Sequence, residues 1–189
     1  MPRSKADPAS EAAIHLDLMI EMTTNFAQSH DVEATMHLGL ERVAEKMGAE
    51  AASLFLLDAE TGDLVCHACI GPTDVLGLRL PPGKGIVWRT VDLDLPQLVR
   101  DARFDPDFTT AIDNATGFVT RSILCAPISF RGQKLGAIEL FNKHGGHAFT
   151  QADARLLRVL AVAPALAEAA PAERPPALRF ATRTPRSWP

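Results

Sequence analysis

The sequence predicts an α+β domain, helices packed on the faces of a largely antiparallel sheet, and three observations carry that expectation. Apolar residues recur every three to four positions over residues 11–47 and again after Thr150, the period of helices that bury one stripe. Between those segments the pattern changes to short apolar runs, "AASLFLLD" at 51–58 and "LVCHACIG" at 64–71. Thr61-Gly62-Asp63 lies between the runs, and a glycine turn in that position joins antiparallel neighbours. Helices, then a hairpin, then mixed crossovers and a closing helix make an α+β layer structure.

Residues 1–10 contain two prolines and small polar residues and are expected to form a loose arm. From Glu11 a helix is predicted, capped by Ser10, with Ile14, Leu18, Met22 and Phe26 on one stripe. A second helix runs from Asp31 or Glu33 to about Met47, with Met36, Leu40, Val43 and Met47 on one side and Gly48 as its stop. After the hairpin, Pro81-Pro82-Gly83 breaks the chain before a short helix beginning near Gly85, and "LDLPQLV" returns as an extended piece. The segment 105–117, "DPDFTTAIDNATG", reads as a short helix with Asp105 as cap, Pro106 in its first turn and Gly117 as stop.

Two strands, 122–129 and 134–142, follow around "FRGQ". A last helix starts at Thr150, where Asp153 supplies the acidic partner of a capping box. Its stripe is Leu156, Leu157, Leu160 and Ala161, and Pro164 should kink or end it. Beyond Pro171 the chain is aperiodic and rich in proline and arginine, so residues 170–189 are expected to be disordered. The domain proper is thus 11–169.

Composition narrows the function classes. With 189 residues, 47% of them apolar, the chain can bury one real core. A net charge of -4 argues against a nucleic-acid face. No segment approaches the roughly 20 apolar residues of a membrane helix, and the N-terminus lacks a signal core, so a cytoplasmic location is expected.

Three cysteines, Cys66, Cys69 and Cys125, suit a reducing compartment. Cys66 and Cys69 form a C-x-x-C, but on an extended strand residues three apart point to opposite faces. No second pair or suitably spaced histidine completes a zinc set around His67. These thiols are expected to be packing groups, with no metal or cofactor, and Cys125 within "SILCAPI" is expected to be inert through burial.

Several stretches in this order, "SLFLLD", "PPGKGI", "TGFVTRSILCAPI", "LGAIELFNK" and "NKHGGHAFTQAD", resemble a GAF domain. The resemblance spans about residues 12–168, and is to the regulatory cyclic-nucleotide-binding GAF domains of phosphodiesterases and bacterial cyclases. It implies a six-stranded antiparallel sheet with helices on one side and a ligand pocket on the other, and a homodimer formed through the first and last helices. It also implies signalling to an output domain or a separate effector protein.

The site residues follow from the resemblance, each beside its own chemistry. The glycines around Lys84 feed a helix whose first amides, at Ile86 and Val87, can face an anion; the resemblance assigns them the cyclic phosphate. Thr116 and Thr120 flank Gly117 and are ordinary turn hydroxyls, which the resemblance turns toward phosphate and ribose. Asp113, on one helical face with Thr109 and Thr116, corresponds to the carboxylate that reads the purine edge; Glu139 and Ser53 correspond to further pocket residues. A carboxylate pair matches the donors of guanine better than the N1 acceptor of adenine, favouring cyclic GMP over cyclic AMP.

Asn142, Lys143, Phe149 and Asp153 match a structural lock, with Lys143 paired to Asp153 across the turn over Phe149. Ala154 departs from the motif's last acidic residue. Trp88 stands where a small residue is usual, and can either cap a base or fill the cavity. The latter option would make the chain a ligand-free dimerisation module. The branch that reduces free methionine sulfoxide carries a cysteine where this chain has Val87, so an enzyme is not expected.

Overall fold

The computed structural model describes residues 20, 24, 32–72 and 74–161. Ile20 and Thr24 are helical; otherwise the expected first helix, the 1–10 arm, the 170–189 tail and the Pro164 break lie outside the described residues. Helix α1 (Val32–Met47) leads into strands β1 (Ala49–Leu57), β2 (Leu64–Ile70) and β3 (Arg79–Leu80). Then come helix α2 (Gly85–Leu93), strand β4 (Gln97–Val99), a 3-10 turn at Ala102–Phe104 and helix α3 (Ala111–Thr116). Strands β5 (Ile123–Phe130) and β6 (Gln133–Lys143) precede a 3-10 turn at His144–Gly146 and helix α4 (Gln151–Leu160).

The six strands form one antiparallel sheet in the order β3-β2-β1-β6-β5-β4. Alternation along the strands divides the apolar residues between its two faces. One face packs Leu54, Leu124 and Leu140 against the stripe of α1 (Met36, Leu40, Val43, Met47) and against Leu157 and Leu160 of α4. Each such side chain, when fully buried, contributes about 1.5–3 kcal/mol. The other face packs Phe55, Ile123 and Ala137 against Ile86, Val87, Trp88 and Val91 of α2. Helices therefore cover both faces.

Local chemistry sets the joints. Arg131 (φ 51°) and Gly132 (φ 81°) make the β5–β6 turn, with the two left-handed residues that a tight hairpin requires. Pro127 lies on β5 beyond the three residues paired to β4, so its missing N–H costs no ladder bond. Gly136 of β6 is where strands come closest: a Cβ there would lie 1.9 Å from the Phe55 carbonyl oxygen. At α4, the Thr150 side chain accepts from the Asp153 amide at 3.2 Å and Asp153 accepts from the Thr150 amide at 2.7 Å, completing the capping box.

Two expectations are corrected. Asp105 caps no helix start; its carboxylate accepts from the Asp107 amide at 3.0 Å in a local turn and is otherwise taken by Arg89, and α3 begins at Ala111. Gly117 does end the helix, in the left-handed conformation at φ 74°. The second correction concerns the C-x-x-C. Leu54 pairs with Ala68 and Phe55 with Cys66, so His67 is an extra residue in a β-bulge. The bulge shifts the alternation by one, and Cys66 and Cys69 both pack into the cluster on the α2 face.

Candidate functional site

Strand register assembles a polar row on the α2 face. Cys69 of β2 lies opposite Ser53 of β1, Ser53 opposite Glu139 of β6, and Glu139 opposite Cys125 of β5. Above Ser53 and Glu139 is a partly open cavity of about 90 Å³. Its floor also includes Phe55 and Phe141, and its roof is the 108–120 segment, with Phe108, Thr109, Ile112, Asp113, Phe118 and Thr120.

Glu139 dominates the electrostatics. It is 7% exposed, and burial pushes its carboxyl up to about 8. An ionised carboxylate in apolar surroundings lacks the solvation that would stabilise it, so at neutral pH Glu139 is a carboxylic acid with one donor and one acceptor. Ser53 beside it is likewise buried.

The roof is held by its own hydrogen bonds. Asp113 accepts from the Thr120 amide and the Thr120 hydroxyl, both at 2.7 Å, closing the loop after α3. The Thr116 hydroxyl donates back to the Ile112 carbonyl at 2.6 Å and accepts from the Phe118 amide. Phe118 and Phe141 meet edge to face, 6.5 Å between ring centroids, joining roof to floor. Behind the rim, Asn142 accepts from the Arg121 and Ser122 amides and donates to the Val119 carbonyl and to Glu50. Lys143 pairs with Asp153 at 2.7 Å, and Phe149 is buried at 2% exposure beneath the Lys143 ammonium.

Of the residues singled out in the sequence, Ser53, Thr109, Asp113, Thr120 and Glu139 border the cavity, and Thr116, Ile86, Val87 and Trp88 do not. The Trp88 ring fills the apolar cluster beside the cavity, and its indole N–H donates to the Leu80 carbonyl at 3.0 Å. Ile86 and Val87 bury their side chains in that same cluster, while the first turn of α2 receives no side-chain cap from Lys84. The aromatic lining escaped the sequence reading. Phe108 and Phe118 lie in loops with no period to mark them, although Phe118 stands inside the quoted "TGFVT". Among the described residues no group of three or more His, Cys, Asp or Glu is placed to hold a metal, and no helix is long and apolar enough to cross a membrane.

Comparisons with known proteins place this geometry. A family model described as GAF domain matches residues 29–167. A probable 3',5'-cyclic phosphodiesterase, pde-5, of Caenorhabditis elegans is 27% identical over 160 residues, covering 79% of this chain and 20% of the relative. The chain thus spans about a fifth of that protein's length. The GAF domain of a phosphoenolpyruvate-protein phosphotransferase (ptsP) from Coxiella burnetii superposes with a TM-score of 0.71 at 25% identity, covering 84% of this chain and 95% of that one. A free methionine-R-sulfoxide reductase from Neisseria meningitidis shares the fold, with a TM-score of 0.68 at 21% identity over 88% of this chain and 93% of that one.

Proposed function

The chain belongs to the GAF domain family, a family of regulatory and sensory domains, and we propose that it senses a small molecule, a cyclic nucleotide, in the cavity beneath the 108–120 roof. The observation that carries this reading is Glu139. A buried acid that accepts no hydrogen bond from the described residues, facing a cavity beside Ser53, is a costly group to keep unless something uses it. The relation to a cyclic phosphodiesterase supports the ligand class. The base would lie over Ser53 and Glu139, and the uncapped first-turn amides of α2, which lie outside the cavity while the roof is down, would take the phosphate once the roof has lifted.

The cavity volume of about 90 Å³ is well below the roughly 300 Å³ at which ligand pockets begin. A nucleotide therefore enters only when the roof lifts, and that opening is the conformational change available for signalling. In a dimer, the change would pass to the terminal helices and on to an effector.

The protonation of Glu139 decides the base. As a carboxylate it accepts from guanine N1–H and N2–H₂, which favours cyclic GMP. As a neutral acid it can instead donate to adenine N1 and accept from N6–H₂. Calorimetric titration with cyclic GMP and cyclic AMP at pH 6.5 and 8.5 separates the two. Binding of cyclic GMP through the carboxylate strengthens with pH, whereas binding of cyclic AMP through the acid weakens as pH rises past about 8.

The small volume and the satisfied indole of Trp88 favour a second reading, a ligand-free interaction module. Absence of heat from either nucleotide at tens of micromolar, about -6 to -7 kcal/mol, would decide for that module and against the nucleotide sensor.

A further inference from the structure

The bulge at His67 puts on one sheet face two thiols that a regular strand would hold on opposite faces. Cys66 is 2% exposed, and its Sγ donates to the Ala68 carbonyl at 3.3 Å. Cys69 is half-buried and occupies a different position: it borders both the cavity over Ser53 and an outer groove of about 750 Å³ along α1. One thiol is thus reachable from solvent while its neighbour is shielded. We propose that Cys66 and Cys69 form a peroxide-responsive dithiol at the edge of the cavity, with Cys69, which borders it, as the attacking thiolate and Cys66, buried in the cluster behind, as the resolving thiol.

Electrostatics point the same way. The Cys66 thiol, whose one hydrogen can turn from the Ala68 carbonyl to the Cys69 sulfur, brings Cys69 down to about 7, despite burial and the nearby Asp74 carboxylate, while Cys66 itself is pushed well up. A substantial fraction of Cys69 is then thiolate at neutral pH, the form that attacks. The third cysteine provides an internal control. Cys125 lies on the same sheet face but at 0% exposure, and burial pushes its thiol far up.

The chemistry runs in two balanced steps. The Cys69 thiolate attacks one oxygen of hydrogen peroxide: an S–O bond forms, the O–O bond breaks, and hydroxide leaves. Sulfur loses two electrons and peroxide gains them. The Cys66 sulfur then attacks the Cys69 sulfenic acid, forming S–S and breaking S–O, and the departing hydroxyl takes the Cys66 proton to leave as water. Closure draws the bulged segment of β2 together directly beside Ser53, so the oxidised and reduced forms present different cavity walls. This inference does not depend on what the cavity binds.

The test is peptide mapping of the full chain after stoichiometric hydrogen peroxide, quenched and alkylated under denaturing conditions. Trypsin leaves Cys66 and Cys69 together in peptide 47–79 and Cys125 alone in 122–131. The expected result is peptide 47–79 lighter by two hydrogens and unalkylated, with 122–131 still fully alkylated. In Cys66→Ser the same treatment leaves Cys69 as a sulfenic acid that dimedone captures, and Cys125→Ser behaves as the parent. Full alkylation of 47–79 after peroxide, oxidation falling first on Cys125, or bridging only between chains would each overturn the proposal. The parent chain alone supplies these readings should a variant fail to fold.

Discussion

The Arg89 guanidinium holds Asp105 in a two-pronged ion pair, Nη1 to Oδ1 at 2.9 Å and Nη2 to Oδ2 at 2.7 Å. The same side chain reaches Asp107 and the Gln97 side-chain oxygen, so one residue of α2 fastens β4 and the approach to the cavity roof. Bidentate pairing of this kind fixes geometry as well as adding energy.

Replacing Arg89 with Met should therefore loosen the roof. Removing one partner of a partly buried pair costs about 2 kcal/mol, measurable as a lower denaturation midpoint. The Arg89 hydrogen bonds hold the Asp105 carboxyl below its ordinary value of 3.8, so their contribution is present above that pH and is lost as pH falls through the folded value. The stability gap between Arg89→Met and the parent should narrow in strong acid. If the roof gates a ligand, the variant should also bind it up to about tenfold more tightly, because less of the closed state must be overcome.

The buried acid gives the opposite pH signature. Above its ordinary value of 4.5 the unfolded chain releases the Glu139 proton, whereas the folded chain keeps it until about pH 8. Stability contributed by this group falls across that window, at most by about 1.4 kcal/mol per pH unit. Glu139→Gln keeps the shape and cannot ionise. It should match the parent near pH 4.5 and exceed it by a few kcal/mol near pH 8, read by urea unfolding at both pH values.

Asn142 makes four hydrogen bonds while 1% exposed, at φ 51°. Asn142→Ala should cost about 3 kcal/mol, since it leaves buried amides unpaired and places alanine in a left-handed conformation. Asn142→Gly should fare better than alanine despite removing the same side chain. Equal melting temperatures for the two variants would show that the backbone conformation contributes nothing.

Gly136 has no room for a side chain against the Phe55 carbonyl. Gly136→Ala must separate β1 from β6 and should lower stability by more than about 2 kcal/mol. The loss should appear as faster amide exchange in the central strands.

Legibility in the sequence followed the range of the interactions involved. The stripe of α1, the Thr150 capping box, the Gly117 stop and the strand pairs were readable, because each is set by residues within a few positions of one another. Asp105 looked like a helix cap for the same local reason, but its partner is Arg89, sixteen positions back, and no local pattern reports that. The His67 bulge was invisible because register belongs to a pair of strands, not to one. Glu139 sits between Ile138 and Leu140, an alternation that normally marks a solvent-facing acid; here helices cover both faces of the sheet, and the outward position becomes an interior one. Five cavity-lining residues were named from the family pattern, while the phenylalanines around them carried no signal of their own.

The outermost strands of the sheet are only two and three residues long, Arg79–Leu80 and Gln97–Val99. Pro81 and Pro82 follow the first directly, and Pro96 precedes the second. Each outermost strand thus offers an incoming polypeptide only two or three residues of ladder, and proline interrupts its continuation. The longer strands behind them stay uncovered over part of their length, β5 beyond Cys125 and β2 beyond Cys66, and on β5 Pro127 withholds an N–H from any chain that would extend the sheet there.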